Sequence, residues 1–386
     1  MNKLQIIIIL FAISLATNMI IMIEYFGNLD IIDVYTWLIN SEKSSPLDPP
    51  KIPDFYKNGA MTLSFEKNVF TRNDFDQWKE NVISKFIDVY EIPPLEDIKI
   101  SHVDKIHTQD NGNYVVNKYT MRAIDNDIII FYELLPSTIS KSLPAVFVIP
   151  GSGNQGALDV MNEPSDISKY YYHKGIGKEL VIADYAVYVI ENRGWGERTI
   201  DAGFQCDKSD VFCSGNVLNR QLENLGKNLY SLQVSDSIQV MKFIQTREYV
   251  DVKNVSVVGL SLGGAITQAV STLVPDIKNT VIASGLVSIY QTTGSGPTPG
   301  ILQYFDFPDL ISTIAPRNLY LSWGENERSM FGYEANTMYS ANLIKRAYAL
   351  FDATDNFVVI INKENFNDGH TFDVPSIIKF LKDHTD

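Results

Sequence analysis

The chain has 386 residues, 45% of them hydrophobic and 20% charged, which is enough apolar material for one large domain or two small ones with a real core. A formal net charge of −14 at pH 7 and a pI near 4.8 exclude counterion-driven binding to nucleic acid, which needs clustered Lys and Arg. The two cysteines, Cys206 and Cys213, do not match a zinc site of four soft ligands; they admit one loop disulfide or two free thiols, and the compartment decides between these.

The first element is apolar throughout. From Leu4 to Ile23, LQIIIILFAISLATNMIIMI runs for about 20 residues without a charge, long enough at ~1.5 Å per residue to cross a ~30 Å hydrocarbon core. It is a signal anchor or a signal peptide. Cleavage triplets such as Ala12-Ile13-Ser14 are poor, which favours the uncleaved anchor, and Lys3 on the short flank puts the rest of the chain outside the cytoplasm. Residues 24–53, ending in the proline-rich SEKSSPLDPPKIPDF, are expected to be a tether.

Residues 54–100 are expected to form a helical extension. DFDQWKENVISKFIDVY, Asp74 to Tyr90, places Phe75, Trp78, Val82, Ile83, Phe86, Ile87 and Tyr90 three or four apart, the spacing of an amphipathic helix, and IPP stops it. The main domain is expected over 101–386. It opens with strand-like runs, KIHTQD, YVVNKYTMRAI and DIIIFYELL, separated by turn signals such as Asp110-Asn111-Gly112, which predict an antiparallel section.

From Pro144 the texture changes. AVFVIP, YAVYVIE, VSVVGL, TVIASGL, NLYLSWG and FVVIINK lack polar alternation, as expected of strands buried on both faces of a parallel sheet. Helical stretches stand between them and after them: NLGKNLYSLQVSDSIQVMKFIQTR, EANTMYSANLIKRAYALFDA and PSIIKFLKDH. The fold class is therefore α/β, a mostly parallel central sheet flanked by helices.

In Gly259-Leu260-Ser261-Leu262-Gly263-Gly264 the pattern G-x-S-x-G follows the strand Val255 to Val258 and precedes a helix, Ala265 to Leu273. That is the context of a nucleophile elbow, a sharp turn that projects the serine hydroxyl above the sheet. A serine needs a base to take its proton. Of the five histidines, His102 and His107 precede the parallel part, His173 lies in a tyrosine-rich loop and His384 is almost terminal. His370 remains, in NFNDGHTFD between the last strand and last helix, where the loop opens at the carboxyl edge of the sheet with Ser261.

The base needs a carboxylate, expected after the strand NLYLSWG. Glu327 is chosen, with Glu325 in reserve. Oxyanion donors are expected from the amide of Leu262 and from the loop Pro150-Gly151-Ser152-Gly153-Asn154, with Ser152 first and Gly153 as the alternate. No cofactor and no metal is required by this chemistry.

PAVFVIPGSGNQG, ENRGWGER, GLSLGG, PGILQYFDFPDLISTIAPRNLYLSWGENE and DGHTF together resemble the α/β-hydrolase superfamily, and within it the dienelactone-hydrolase-like and acetyl-xylan-esterase-like branch, from about Ser101 to the end of the chain. The branch usually has aspartate where Glu327 stands and often histidine where Pro150 stands. Dienelactone hydrolases proper have cysteine at the place of Ser261. The resemblance implies a serine hydrolase of carboxylic esters, acting on a small-molecule or carbohydrate ester outside the cytoplasm. A peptidase on the same fold and a non-catalytic, surface-anchored binding protein are the competing readings. In an oxidising exterior Cys206 and Cys213 are expected to pair.

Overall fold

Turn signals and alternation in the first half produce three long strands, β1 (Val103–Asp110), β2 (Tyr114–Arg122) and β3 (Ile128–Pro136), paired antiparallel as the sequence predicts. The apolar runs that follow form β4 (Leu143–Ile149), β5 (Ala186–Ile190), β6 (Val250–Leu260), β7 (Asn279–Ala283), β8 (Asn318–Gly324) and β9 (Phe357–Asn362). The nine strands make one sheet in the order β1-β2-β3-β5-β4-β6-β7-β8-β9, parallel from β5 to β9 and joined to the antiparallel section where β3 meets β5. This computed structural model describes residues 61–153, 156–161, 173–199, 213–285, 287–288, 300–327, 334–363 and 369–385. The stretch Leu4 to Ile23 and the tether 24–53 lie outside them. Among the described residues no helix is long and apolar enough to cross a membrane.

The uninterrupted apolar strands have a simple cause. Side chains alternate across a sheet, and here both faces are covered. Ala145, Phe147 and Ile149 of β4 enter one core while Val146 and Val148 enter the other, and β5 divides Ala186, Tyr188 and Ile190 from Val187 and Val189 in the same way.

Helices complete both cores. α1 (Phe65–Asn68) and α2 (Arg72–Tyr90) precede the sheet; α3 (Gly156–Met161) and α4 (Ile176–Ile182) follow β4; α5 (Cys213–Asn224) and α6 (Leu229–Gln245) lead into β6. α7 (Leu262–Leu273) leaves β6, α8 (Phe307–Ser312) precedes β8, α9 (Glu334–Ala349) precedes β9, and α10 (Val374–Asp383) ends the fold. Residues of α2, α6, α7, α8 and α9 fill one core; residues of α3, α4 and α10 fill the other.

The amphipathic spacing between Asp74 and Tyr90 belongs to α2, which starts two residues earlier because the Asp74 carboxylate accepts the Thr71 N–H at 2.8 Å in a capping box. Glu91, at φ 51, turns the chain out of the helix before the two prolines. Its buried face, Phe75, Trp78, Val82, Phe86 and Tyr90, packs into the main core, with ring contacts from Phe75 to Phe351 (4.9 Å) and from Phe86 to Phe305 (6.4 Å). Each such side chain contributes about 1.5–3 kcal/mol by leaving water. The extension therefore shares its core with the body of the domain.

Cys213 is disulfide-bonded, and the chain's other cysteine, Cys206, lies outside the described residues.

Candidate active site

At the end of β6 the backbone of Ser261 turns to φ 56, ψ −120, a strained conformation for a residue with a side chain. The turn is packed tightly against its neighbour. A Cβ on Gly263 would come within 1.9 Å of the Ile149 carbonyl oxygen, so only glycine lets α7 start directly against the end of β4. α7 begins at Leu262, three residues before the Ala265 start expected from the sequence. The far end of α7 is held by Arg317 of the Ala315-Pro316-Arg317 segment, whose guanidinium donates to the carbonyls of Ser271, Val274 and Ile277. A cation there satisfies orphan carbonyls and meets the negative end of the helix dipole.

The two expected partners come together on the same carboxyl edge. The His370 imidazole Nδ1 is hydrogen-bonded to Glu327 Oε1. The other carboxylate oxygen, Oε2, accepts from Ser284 Oγ at 2.9 Å and from the Gly324 N–H, so three donors surround a carboxylate that is 4% exposed. Glu325, the reserve, is exposed, and its backbone N–H serves the sheet by donating to the Asn362 carbonyl at 2.9 Å. Asn362 also donates from its side chain to the carbonyls of Gly369 and Thr371, both at 3.2 Å, which braces the loop that carries His370.

On the other side of Ser261, Leu262 supplies the first N–H of α7, a donor with no partner inside its own helix. Gly151, Ser152 and Gly153 follow β4, and the loop is anchored by groups that sequence reasoning did not find. Asn192 Nδ2 donates to the Pro150 carbonyl at 2.7 Å, and the Gly151 N–H donates to His173 Nε2 at 2.8 Å. Glu191 Oε1 accepts the Ala157 N–H at 3.2 Å. Ser284 is a further residue without a sequence signal, since only the fold brings it to Glu327. Asn154 lies outside the described residues.

ENRGWGER thus acts as a scaffold for the loop after β4. Arg193 forks between Asp125 and Asp236, and Arg198 between Asp127 and Asp236, at 2.6–2.8 Å. Glu191 is fully buried, with room for its carboxyl only because Gly156 and Gly196 lack a Cβ. Burial pushes its pKa up from 4.5 to about 8, although the Ala157 N–H and the Arg198 charge pull the other way. Between these values the native state holds a proton that the unfolded chain does not, so this group's contribution to stability declines as pH rises from about 4.5 to about 8. Glu191→Gln, which keeps an acceptor for Ala157 and carries no charge, is expected to be more stable than the parent at pH 9 and similar at pH 5. Urea unfolding midpoints across that range measure the difference; parallel curves would contradict it.

A strained serine after the central strand, with a histidine and carboxylate beyond the outer strands of the same parallel edge, defines an α/β-hydrolase. The sequence agrees: the Abhydrolase family model matches residues 55–293, and the chain belongs to that family. No curated protein matches it. Solved structures similar to it include a candidate acetyl xylan esterase from Bacteroides fragilis, 18% identical, covering 86% of this chain and 93% of that one with a TM-score of 0.66. A glucuronoyl esterase from Solibacter usitatus is 12% identical over 88% of this chain and 99% of its own, with a TM-score of 0.58. One from Teredinibacter turnerae is 16% identical over 88% and 93%, also at 0.58. At these identities the likeness establishes a shared fold.

Proposed function

We propose that the protein is a serine hydrolase of carboxylic esters, acting on a carbohydrate or other small-molecule ester. The observation that carries this reading is the strained Ser261 on the same sheet edge as a half-buried His370 bonded to the buried Glu327. In this mechanism Ser261 Oγ attacks the ester carbonyl while His370, with Nδ1 held by Glu327, takes the proton at Nε2. The N–H groups of Leu262 and Ser152, with Gly153 as the alternate, receive the negative oxygen of the tetrahedral intermediate. His370 returns the proton to the leaving alcohol, and water releases the acyl group by the same steps in reverse roles.

The carbohydrate side of the proposal is supported by structural neighbours named as xylan and glucuronoyl esterases. Placement outside the cytoplasm, through the apolar stretch Leu4 to Ile23, is supported by the disulfide at Cys213, a bond that persists in oxidising compartments. The test is a panel of acetylated and uronate methyl-ester sugars, nitrophenyl esters and peptides, with a fluorophosphonate probe for the nucleophile. Hydrolysis of esters with labelling at Ser261 is expected. Cleavage of peptides alone would replace the reading with a peptidase, and absence of labelling and turnover would replace it with a binding protein.

A further inference from the structure

His173 is the histidine that the sequence gives least reason to notice, and the fold buries it to 2% exposure beside the loop that follows β4. Its Nδ1 lies 2.6 Å from Oδ2 of Asp159, itself 1% exposed, and the same carboxylate oxygen accepts the His173 backbone N–H at 3.2 Å. Its Nε2 faces the Gly151 N–H at 2.8 Å. A backbone N–H can only donate, so Nε2 carries no proton, and the ring is the neutral tautomer with its hydrogen on Nδ1, directed at Asp159.

The consequence lies in one peptide plane. The Pro150 carbonyl and the Gly151 N–H belong to the same planar unit. Asn192 donates to the first and His173 accepts from the second, so the plane is gripped at both edges. Rotation of that plane would redirect the next amide, Ser152. The imidazole also stands 6.0 Å from the Phe372 ring, two residues past His370, and so touches the loops on both sides of the site.

We propose that His173, oriented by Asp159, is a positioning residue: it holds the Pro150–Gly151 peptide so that the loop presents its amide to the oxyanion formed on Ser261. This rests on the hydrolase reading above. It makes the pair a second His–carboxylate unit that transfers no proton and touches no substrate.

Three variants test it on a nitrophenyl ester, with a trifluoromethyl ketone whose serine adduct is an anionic tetrahedron. His173→Leu removes the acceptor at similar volume. It is expected to lower kcat about a hundredfold, the cost of misplacing a donor by about 1 Å, and to raise the ketone Ki in parallel while KM stays nearly constant. His173→Gln, whose amide oxygen stands near the place of Nε2, is expected to recover much of the loss. Asp159→Leu removes the acceptor that orients Nδ1–H and so frees the ring to turn away from Gly151; it is expected to resemble His173→Leu. A folded His173→Leu or Asp159→Leu protein with parental kcat and Ki would overturn the assignment, as would a loss confined to KM. If His173→Leu does not fold, Asp159→Leu decides by the same criteria. Failure of the parent to label with a fluorophosphonate would instead overturn the nucleophile reading, and this inference with it.

Discussion

Ser261→Ala is expected to abolish ester hydrolysis, lowering kcat by about six orders of magnitude, as loss of the nucleophile does when the remaining groups act as a unit with it. Fluorophosphonate labelling is expected to vanish with it. The fold should survive. Alanine removes one hydroxyl from a residue that is 9% exposed and leaves the contact of α7 with β4 intact, so unfolding free energy should change by about 1 kcal/mol or less. A Ser261→Ala protein that retained parental turnover would remove the serine from the mechanism, however sound the fold.

The second large effect concerns the acid. Glu327→Gln is expected to lower kcat about 10⁴-fold with little change in KM. The surroundings dictate why. Ser284 Oγ and the Gly324 N–H both donate toward Oε2, so a glutamine keeps its carbonyl oxygen there and turns its NH2 toward His370. The imidazole then accepts at Nδ1 and carries its hydrogen on Nε2, where a base needs a lone pair. Glu325→Gln, at an exposed side chain, is expected to leave kcat near the parental value. Steady-state kinetics of the two variants side by side are decisive, and the reverse order of effects would transfer the role to Glu325.

Much of this arrangement was legible in the chain before any coordinates. The apolar strands could be read because burial on both faces leaves no polar alternation to mistake for a half-exposed sheet. The places of Ser261, His370 and Glu327 could be read because they are set by local order, a serine in the turn after a strand, a glutamate after a strand and a histidine in the last loop, and the contact of His370 with Glu327 agrees with that order. His173 could not. Elimination by loop position asks for one histidine and discards the others, whereas the work of His173 depends on a carboxylate fourteen residues earlier and a backbone amide twenty-two residues earlier, a meeting visible only in three dimensions. Ser284 escaped for a related reason, since a serine after a strand resembles any strand end until Glu327 is placed beside it. Asn192 and Glu191 stand within ENRGWGER, but their partners are backbone groups without a side-chain signature.

The packing of α2 bears on where a working fragment can begin. The resemblance read from motifs starts near Ser101, but the family match reaches back to residue 55, so a boundary drawn at the motifs would cut into the family's own domain. It would strip Phe75, Trp78, Phe86 and Tyr90 from the rings they cover and leave Phe305 and Phe351 facing water. Such a fragment would carry every group of the proposed chemistry on a body with an open apolar wound, the kind of surface by which chains adhere to one another. The smallest self-sufficient domain in this sequence therefore extends upstream of its motifs, at least to the Leu63 carbonyl that receives the Trp78 indole, as the family match from residue 55 also has it.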